Sequence, residues 1–298
     1  MVGTTAQQCP PVLDAADPGG VGASTNDRLD ALGEDRSRQN AAQIRYSEDL
    51  VGFRDHFSGI AERYAAFRPQ YPESLFDWLA SIAPRRDLAW DCACGSGQAS
   101  RPLAKRLGRV IASDASLTQV SAASDTANLS FVVAPAEQPP ITDETVDLVT
   151  VAQALHWFVG ADFFNEVRRI LRPGGVFAAW TYGLPHVVSD AAESTVHRFI
   201  DDPLGPYWPR EIRLVLDGYA SVELPFDEIE APAFEMRVRW TLAQFLGFVR
   251  TWSGVTRYFD EHGEDPVDQL ESDIEGLWGP AGGSLPISWR LDLRVGRV

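Results

Sequence analysis

Apolar residues first recur at helical spacing at Ile60, Tyr64 and Phe67, and this run stops at Arg68 because Pro69 disfavours helix before it. A second amphipathic helix is predicted after Pro72, with Leu75, Phe76, Leu79 and Ile82 as its apolar stripe and Pro84 beyond its end. From there short β-rich runs alternate with helical ones. Residues 88–92, 109–113, 129–134, 146–152 and 176–180 read as strands, and residues 99–107, 117–123 and 163–171 as helices between them. Gly108 closes one of these helices and Pro173, Gly174 and Gly175 stop another. Such alternation predicts an α/β fold with helices on both faces of a mostly parallel, doubly wound sheet. Beyond Trp180 the pattern weakens. Residues 191–200, 242–252 and 267–277 read as helices and 226–229 and 234–240 as strands, while Ile287, Trp289, Leu291 and Leu293 alternate cleanly as a last strand.

The first 45 residues lack this patterning. They carry Pro10, Pro11, Gly19 and Gly20 and no aromatic before Tyr46, so a disordered tail is expected, with at most a short helix around residues 27–35. The remaining 46–298 are expected to form one domain, sized for a substantial core by the 45% hydrophobic content of the 298-residue chain.

Charge narrows the partners. Acidic residues number 42 against 26 basic ones, a net charge of −16, which repels a phosphate backbone and an anionic membrane surface alike. Neither nucleic acid nor membrane is an expected partner. Cys9, Cys92 and Cys94 make no disulfide framework, and no long apolar window or leader pattern is visible, so a cytoplasmic protein is expected, as a monomer or homodimer.

The candidate chemistry sits where the first strand hands over to the first helix, at Asp91 Cys92 Ala93 Cys94 Gly95 Ser96 Gly97. In an open α/β sheet the crevice beyond the strand ends is where ligands bind. Gly95 and Gly97 allow backbone to approach a ligand, and the helix start at Gln98 offers unpaired N–H groups; the alternative is a tight turn with no ligand. Asp114 closes the second strand, 17 positions beyond Gly97, where a carboxylate can take both hydroxyls of a ribose, or else cap the next helix. A dinucleotide loop wants a third glycine, yet that position is Ser100, and the acidic Asp91 precedes the loop. This favours S-adenosylmethionine, which has a cationic amino group and no pyrophosphate.

On these residues the chain resembles the class I S-adenosylmethionine-dependent methyltransferases, and within them a small-molecule branch similar to trans-aconitate methyltransferase-like proteins. The resemblance is carried also by His56 Phe57 Ser58, Tyr64, Arg68 Pro69, Tyr71 Pro72, Ala136 Glu137, residues 146–149, residues 153–158, residues 171–175, Thr251 Trp252 Ser253 and residues 293–297. It implies a seven-stranded Rossmann-like sheet with the last strand inserted antiparallel at its edge. It also implies a helical lid over residues 46–84 and cap insertions within 183–285. Asp91, Cys92, Ala93, Gly95 and Gly97 would line the methionine half of the cofactor, Asp114 the ribose, and Ala136 and Glu137 the adenine edge. Gln153 would lie under the transferred methyl. Tyr64 and Arg68, four apart on one helical face, would close over the site, with Arg68 forking the methionine carboxylate. Two departures stand out: Ala93 replaces the first glycine of such loops, and Pro135 replaces a carboxylate facing the adenine amino group.

Methyl transfer from a sulfonium is an in-line displacement that depends mainly on positioning, with S-adenosylhomocysteine as product. His156, following the fourth strand, is the candidate general base for an acceptor that must lose a proton; cofactor contact or a structural role are its alternatives. Trp157, Tyr182 and Trp252 are the candidate walls of a small-molecule acceptor site. No metal site is expected, since Cys92 and Cys94 have no completing ligands nearby. The acidic Glu261, Glu264, Asp265 and Asp268 read as a solvated helix face. Two other functions compete: a protein using S-adenosylmethionine as a scaffold for a non-methylating reaction, and, more remotely, an NAD-dependent oxidoreductase.

Overall fold

The computed structural model describes residues 67–280 and 282–298. The expected tail, the helix before Arg68, and Tyr64 lie outside the described residues. Helix α1, Glu73–Ile82, follows Pro72 as the stripe predicts and buries Leu75, Phe76 and Leu79 completely. It was expected within a lid; instead it belongs to the helical layer that covers one face of the sheet.

The parallel strands are β1 (Leu88–Cys92), β2 (Arg109–Asp114), β3 (Leu129–Val133), β4 (Val146–Ala152) and β5 (Leu171–Thr181), in the order β3-β2-β1-β4-β5. Their side chains alternate between two apolar layers. Leu148, Val176, Ala178 and Trp180 enter one, with α1 and the helices beyond β5. Trp90, Cys92, Val149, Val151, Phe177 and Ala179 enter the other. Burial on both faces is why these strands read as nearly continuous apolar runs. The connecting helices α2 (Ser100–Ala104), α3 (Leu117–Ser121) and α4 (Ala161–Ile170) are present, the first two shorter than the periodicity predicts.

Past β5 the chain forms β6 (His186–Val187), α5 (Asp190–Asp201), α6 (Ile212–Leu216), β7 (Asp227–Glu228), β8 (Phe234–Thr241), α7 (Leu242–Val249), α8 (Ser253–His262), α9 (Val267–Ile274) and β9 (Ser284–Arg297). The last strand is antiparallel, as expected, but it is not an edge. Its second half pairs with β5 from Asp292 to Arg297, with β7 against its end, while its first half pairs with β8 and β6. The sheet therefore has nine strands rather than seven. β9 thus carries the main sheet out into the cap, so the cap rests on a strand continuous with the core. The acidic run is also corrected: it spans two helices and their turn, and Asp265 and Asp268 pair with Arg250 at 2.6 and 2.9 Å instead of facing only water.

Candidate functional site

The loop leaving β1 is built from left-handed residues at alternate positions: Ala93 (φ 53°), Gly95 (φ 54°) and Gly97 (φ 89°). Ala93 adopts this conformation at a cost of about 1–2 kcal/mol that glycine would not incur. A Cβ on Gly97 would lie 2.6 Å from the Phe131 ring, so packing as well as φ demands glycine there. A Cβ on Gly95 would meet nothing closer than Gln119 Oε1 at 3.7 Å, so that face of the loop stays open.

Asp114, at the end of β2, faces this loop. One carboxylate oxygen accepts the Gly95 N–H and the other the Ser116 N–H, both at 2.8 Å. The side chain is half-buried. Ala136 and Glu137, also half-buried, lie just beyond β3, whose exit is joined to β2 by Ala134 N–H to the Asp114 carbonyl at 3.0 Å.

Asp91 and Cys92 lie deeper than expected. Asp91 is fully buried, and its oxygens accept the Ser100 hydroxyl at 2.5 Å and the Thr150 hydroxyl at 2.8 Å. Burial pushes its carboxyl up to about 6. It holds β1, β4 and the start of α2 together from inside, which corrects its reading as a group facing the cofactor amine. The same bond takes up Ser100, the residue at the third glycine position. Cys92 points into the opposite apolar layer, its thiol pushed up by burial, and so it corrects to core.

At the exit of β4, Gln153 is left-handed (φ 56°). Its carbonyl oxygen accepts the Thr181 hydroxyl at 2.7 Å and the Tyr182 N–H at 2.9 Å, and its amide donates to the Tyr182 carbonyl at 3.1 Å. The side chain therefore staples the ends of β4 and β5 together, and the expected position under the methyl group passes at most to its backbone. His156 follows in a short turn, Leu155–Trp157. It is buried, with Nδ1 2.9 Å from the Tyr219 hydroxyl, and desolvation pulls its imidazole down to about 4. An enclosed imidazole that binds a proton only near pH 4 is too weak a base to match general-base catalysis near pH 7, so this expectation is corrected.

Arg68 bridges three parts of the chain. Its guanidinium donates to the Tyr182 hydroxyl at 2.8 Å and to the Thr251 carbonyl at 3.4 Å, and lies 5.2 Å from the centre of the Phe248 ring. Its neighbour Phe67 fits where Gly247 of α7 has no Cβ. Trp252 is buried against Phe248 and Trp208, with ring centres 5.7 and 5.9 Å apart, and Tyr182 packs on Tyr71 and Trp289. Trp157 is half-buried beside His156, at 4.7 Å between rings. Arg68, Tyr182 and Trp252 thus share one aromatic cluster on the cap side, while Trp157 belongs with the β4 exit. Among the described residues no His, Cys, Asp or Glu group could hold a metal ion, and no helix is long and apolar enough to cross a membrane.

Sequence reasoning missed Thr150, Thr181 and Tyr219, which orient these groups. The hydroxyls carry no spacing signal; the Asp217 Gly218 turn pair was the one local sign that the chain reverses before Tyr219.

A parallel 3-2-1-4-5 sheet with a glycine turn after its first strand and an acidic residue ending its second defines a nucleoside-binding α/β enzyme. Comparison with known proteins narrows the class. A family described as a methyltransferase domain matches residues 90–179. A Dictyostelium discoideum protein named as a methyltransferase is 30% identical over 225 residues, covering 74% of this chain and 86% of that protein. A malonyl-[acyl-carrier protein] O-methyltransferase of Marinomonas sp. is 28% identical over 210 residues, covering 65% of this chain and 77% of that one. A solved structure from Anaeromyxobacter dehalogenans, described as a type II methyltransferase, superposes with a TM-score of 0.72 at 41% identity, covering 78% of this chain and 98% of its own. The chain belongs to the class I S-adenosylmethionine-dependent methyltransferase family.

S-adenosylmethionine is accordingly its methyl donor. The residues present fit this ligand: the open face of Gly95 leaves room for it beside the loop, and the Asp114 carboxylate stands at that loop at the end of β2.

Proposed function

We propose that the chain transfers the methyl group of S-adenosylmethionine to a carboxylate-bearing small molecule. The observation that carries the acceptor class is His156. The imidazole expected to remove a proton is weakly basic, enclosed and bonded to Tyr219, so an acceptor already ionised at neutral pH suits the site best. The Arg68 cation beside Tyr182 and Trp252 offers such an anion charge and an apolar wall. The O-methyltransferase named among the relatives takes its name from a malonyl group on an acyl-carrier protein, which supports the carboxylate part of this reading.

When bound, S-adenosylmethionine supplies an electrophilic methyl carbon on a sulfonium. The protein's residues have the rest of the task. Asp114 would accept the ribose hydroxyls while holding the loop through the Gly95 N–H, and Gly95 and Ala93 would pass backbone along the methionine portion. Ala136 and Glu137 would flank the adenine. Arg68, in this reading, would orient the acceptor carboxylate instead of the methionine carboxylate, and Trp157, Tyr182 and Trp252 would exclude water around it.

Asp114→Ala is expected to weaken S-adenosylhomocysteine binding by about 1.5–3 kcal/mol, roughly ten- to a hundred-fold, as measured by isothermal titration calorimetry. Unchanged affinity removes the ribose assignment. Incubation with methyl-labelled S-adenosylmethionine and panels of carboxylic acids, phenols and amines tests the acceptor. Label should enter carboxylates as base-labile esters; label confined to amines or phenols overturns the class. Labelled product also separates catalysis from a scaffold role.

A further inference from the structure

We propose that Tyr219, from the segment after α6, is a positioning residue for methyl transfer, acting through His156 and Thr181 to set the exits of β4 and β5. This rests on the reading of those strand ends as the S-adenosylmethionine site. The phenol is completely buried, although it lies 63 residues from the turn it serves. Its oxygen is 2.9 Å from His156 Nδ1, and the Thr181 side chain and the Leu155 and His156 backbone are close enough to offset part of the rise that burial gives its pKa. Thr181 in turn donates to Gln153, which holds Tyr182, and Tyr182 accepts from Arg68. The interior phenol is thus linked through Thr181 and Gln153 to the backbone of Tyr182, the residue whose hydroxyl Arg68 holds.

The surrounding backbone is built to hold this ring in place. Tyr219 is itself left-handed (φ 61°), a conformation costly for a bulky aromatic. Gly218 before it is also left-handed (φ 65°), and a Cβ there would lie 2.8 Å from Asp292 of β9. Arg294 of β9 donates to the Tyr219 carbonyl at 2.5 Å and to the Ala220 carbonyl at 3.2 Å. Filling a hydrophobic layer requires none of this, since a phenylalanine in relaxed backbone would do so. Strain maintained by a strand and a left-handed turn around one hydroxyl fits a role in orienting what the hydroxyl touches. That is the Leu155–Trp157 turn, in which the His156 ring lies against Trp157 at 4.7 Å.

The test compares Tyr219→Phe and Thr181→Val with Phe226→Leu, which trims the same apolar layer where Phe226 packs on Phe164 and Phe177. Each is titrated with S-adenosylhomocysteine in the calorimeter and melted in parallel. The expected result is affinity about ten-fold weaker in Tyr219→Phe and in Thr181→Val, with Phe226→Leu binding as wild type despite an equal or larger fall in melting temperature. Wild-type affinity in Tyr219→Phe overturns the proposal while leaving the cofactor site intact, and so does an equal affinity loss in Phe226→Leu, which would make the effect one of stability. If Tyr219→Phe does not fold, Thr181→Val decides by the same criterion. Failure of the wild-type protein itself to bind S-adenosylhomocysteine removes the cofactor reading and this proposal with it.

Discussion

Gly97→Ala is expected to lose about 2–5 kcal/mol of folding stability, whereas Gly95→Ala, two residues away in the same loop, should lose only about 1–2 kcal/mol. Both positions are left-handed, so both substitutions incur backbone strain. The difference is what the new methyl group meets. At Gly97 it would overlap the Phe131 ring, with ring atoms at 2.6 and 2.9 Å and Arg101 at 3.3 Å, and β3 or the loop must shift. At Gly95 the nearest atom is 3.7 Å away. The ligand should register the opposite order: a methyl on the open face of Gly95 intrudes where the cofactor would lie, and an overlap worth about 1–3 kcal/mol weakens S-adenosylhomocysteine roughly ten-fold or more. Urea unfolding and calorimetry on the two variants check this crossing. Equal stability losses would mean that Phe131 yields freely, and unaltered affinity in Gly95→Ala would move the ligand off that face of the loop.

The contrast also shows what a sequence can state about such a site. The glycines, the strand before them and Asp114 were legible because they depend on neighbours within about 30 residues: an apolar run, a turn, a second run and its terminal carboxylate. The two layers of the core were legible for the same reason. Asp91 was misread because spacing places a side chain at a strand end without saying whether it faces outward; only Ser100 and Thr150 in place show that its oxygens are already taken. His156 was misread because its environment comes from Tyr219, in a part of the chain where periodicity fails. Helix α8 was missed since it buries only Gly254 and Val255 and so carries no stripe, and the start of β9, residues 284–286, was missed because Ser284 and Pro286 interrupt its alternation.

Acidification should separate two variants in opposite directions. Asp91 sits buried with its carboxyl raised from 3.8 to about 6, so its ionised form weighs on the fold above pH 6, and the fold is relieved of about 3 kcal/mol as pH falls through 6 to below 3.8. His156 is buried with its imidazole lowered from 6.5 to about 4, so its contribution is whole above pH 6.5 and about 3 kcal/mol is lost as pH falls through 4. In the wild-type protein these contributions oppose each other over nearly the same window. His156→Gln removes the loss, so its stability relative to wild type should climb by about 3 kcal/mol between pH 6.5 and 4. Asp91→Asn removes the gain, and its relative stability should fall by a similar amount over that range. Taking each variant relative to wild type cancels the titration of the surface carboxylates, which all three proteins share. Urea titrations at half-unit steps from pH 7 to pH 4 read both curves. Parallel curves would mean that His156 and Asp91 meet solvent in the native state, and an imidazole open to water would restore His156 as a candidate base and admit acceptors that must give up a proton.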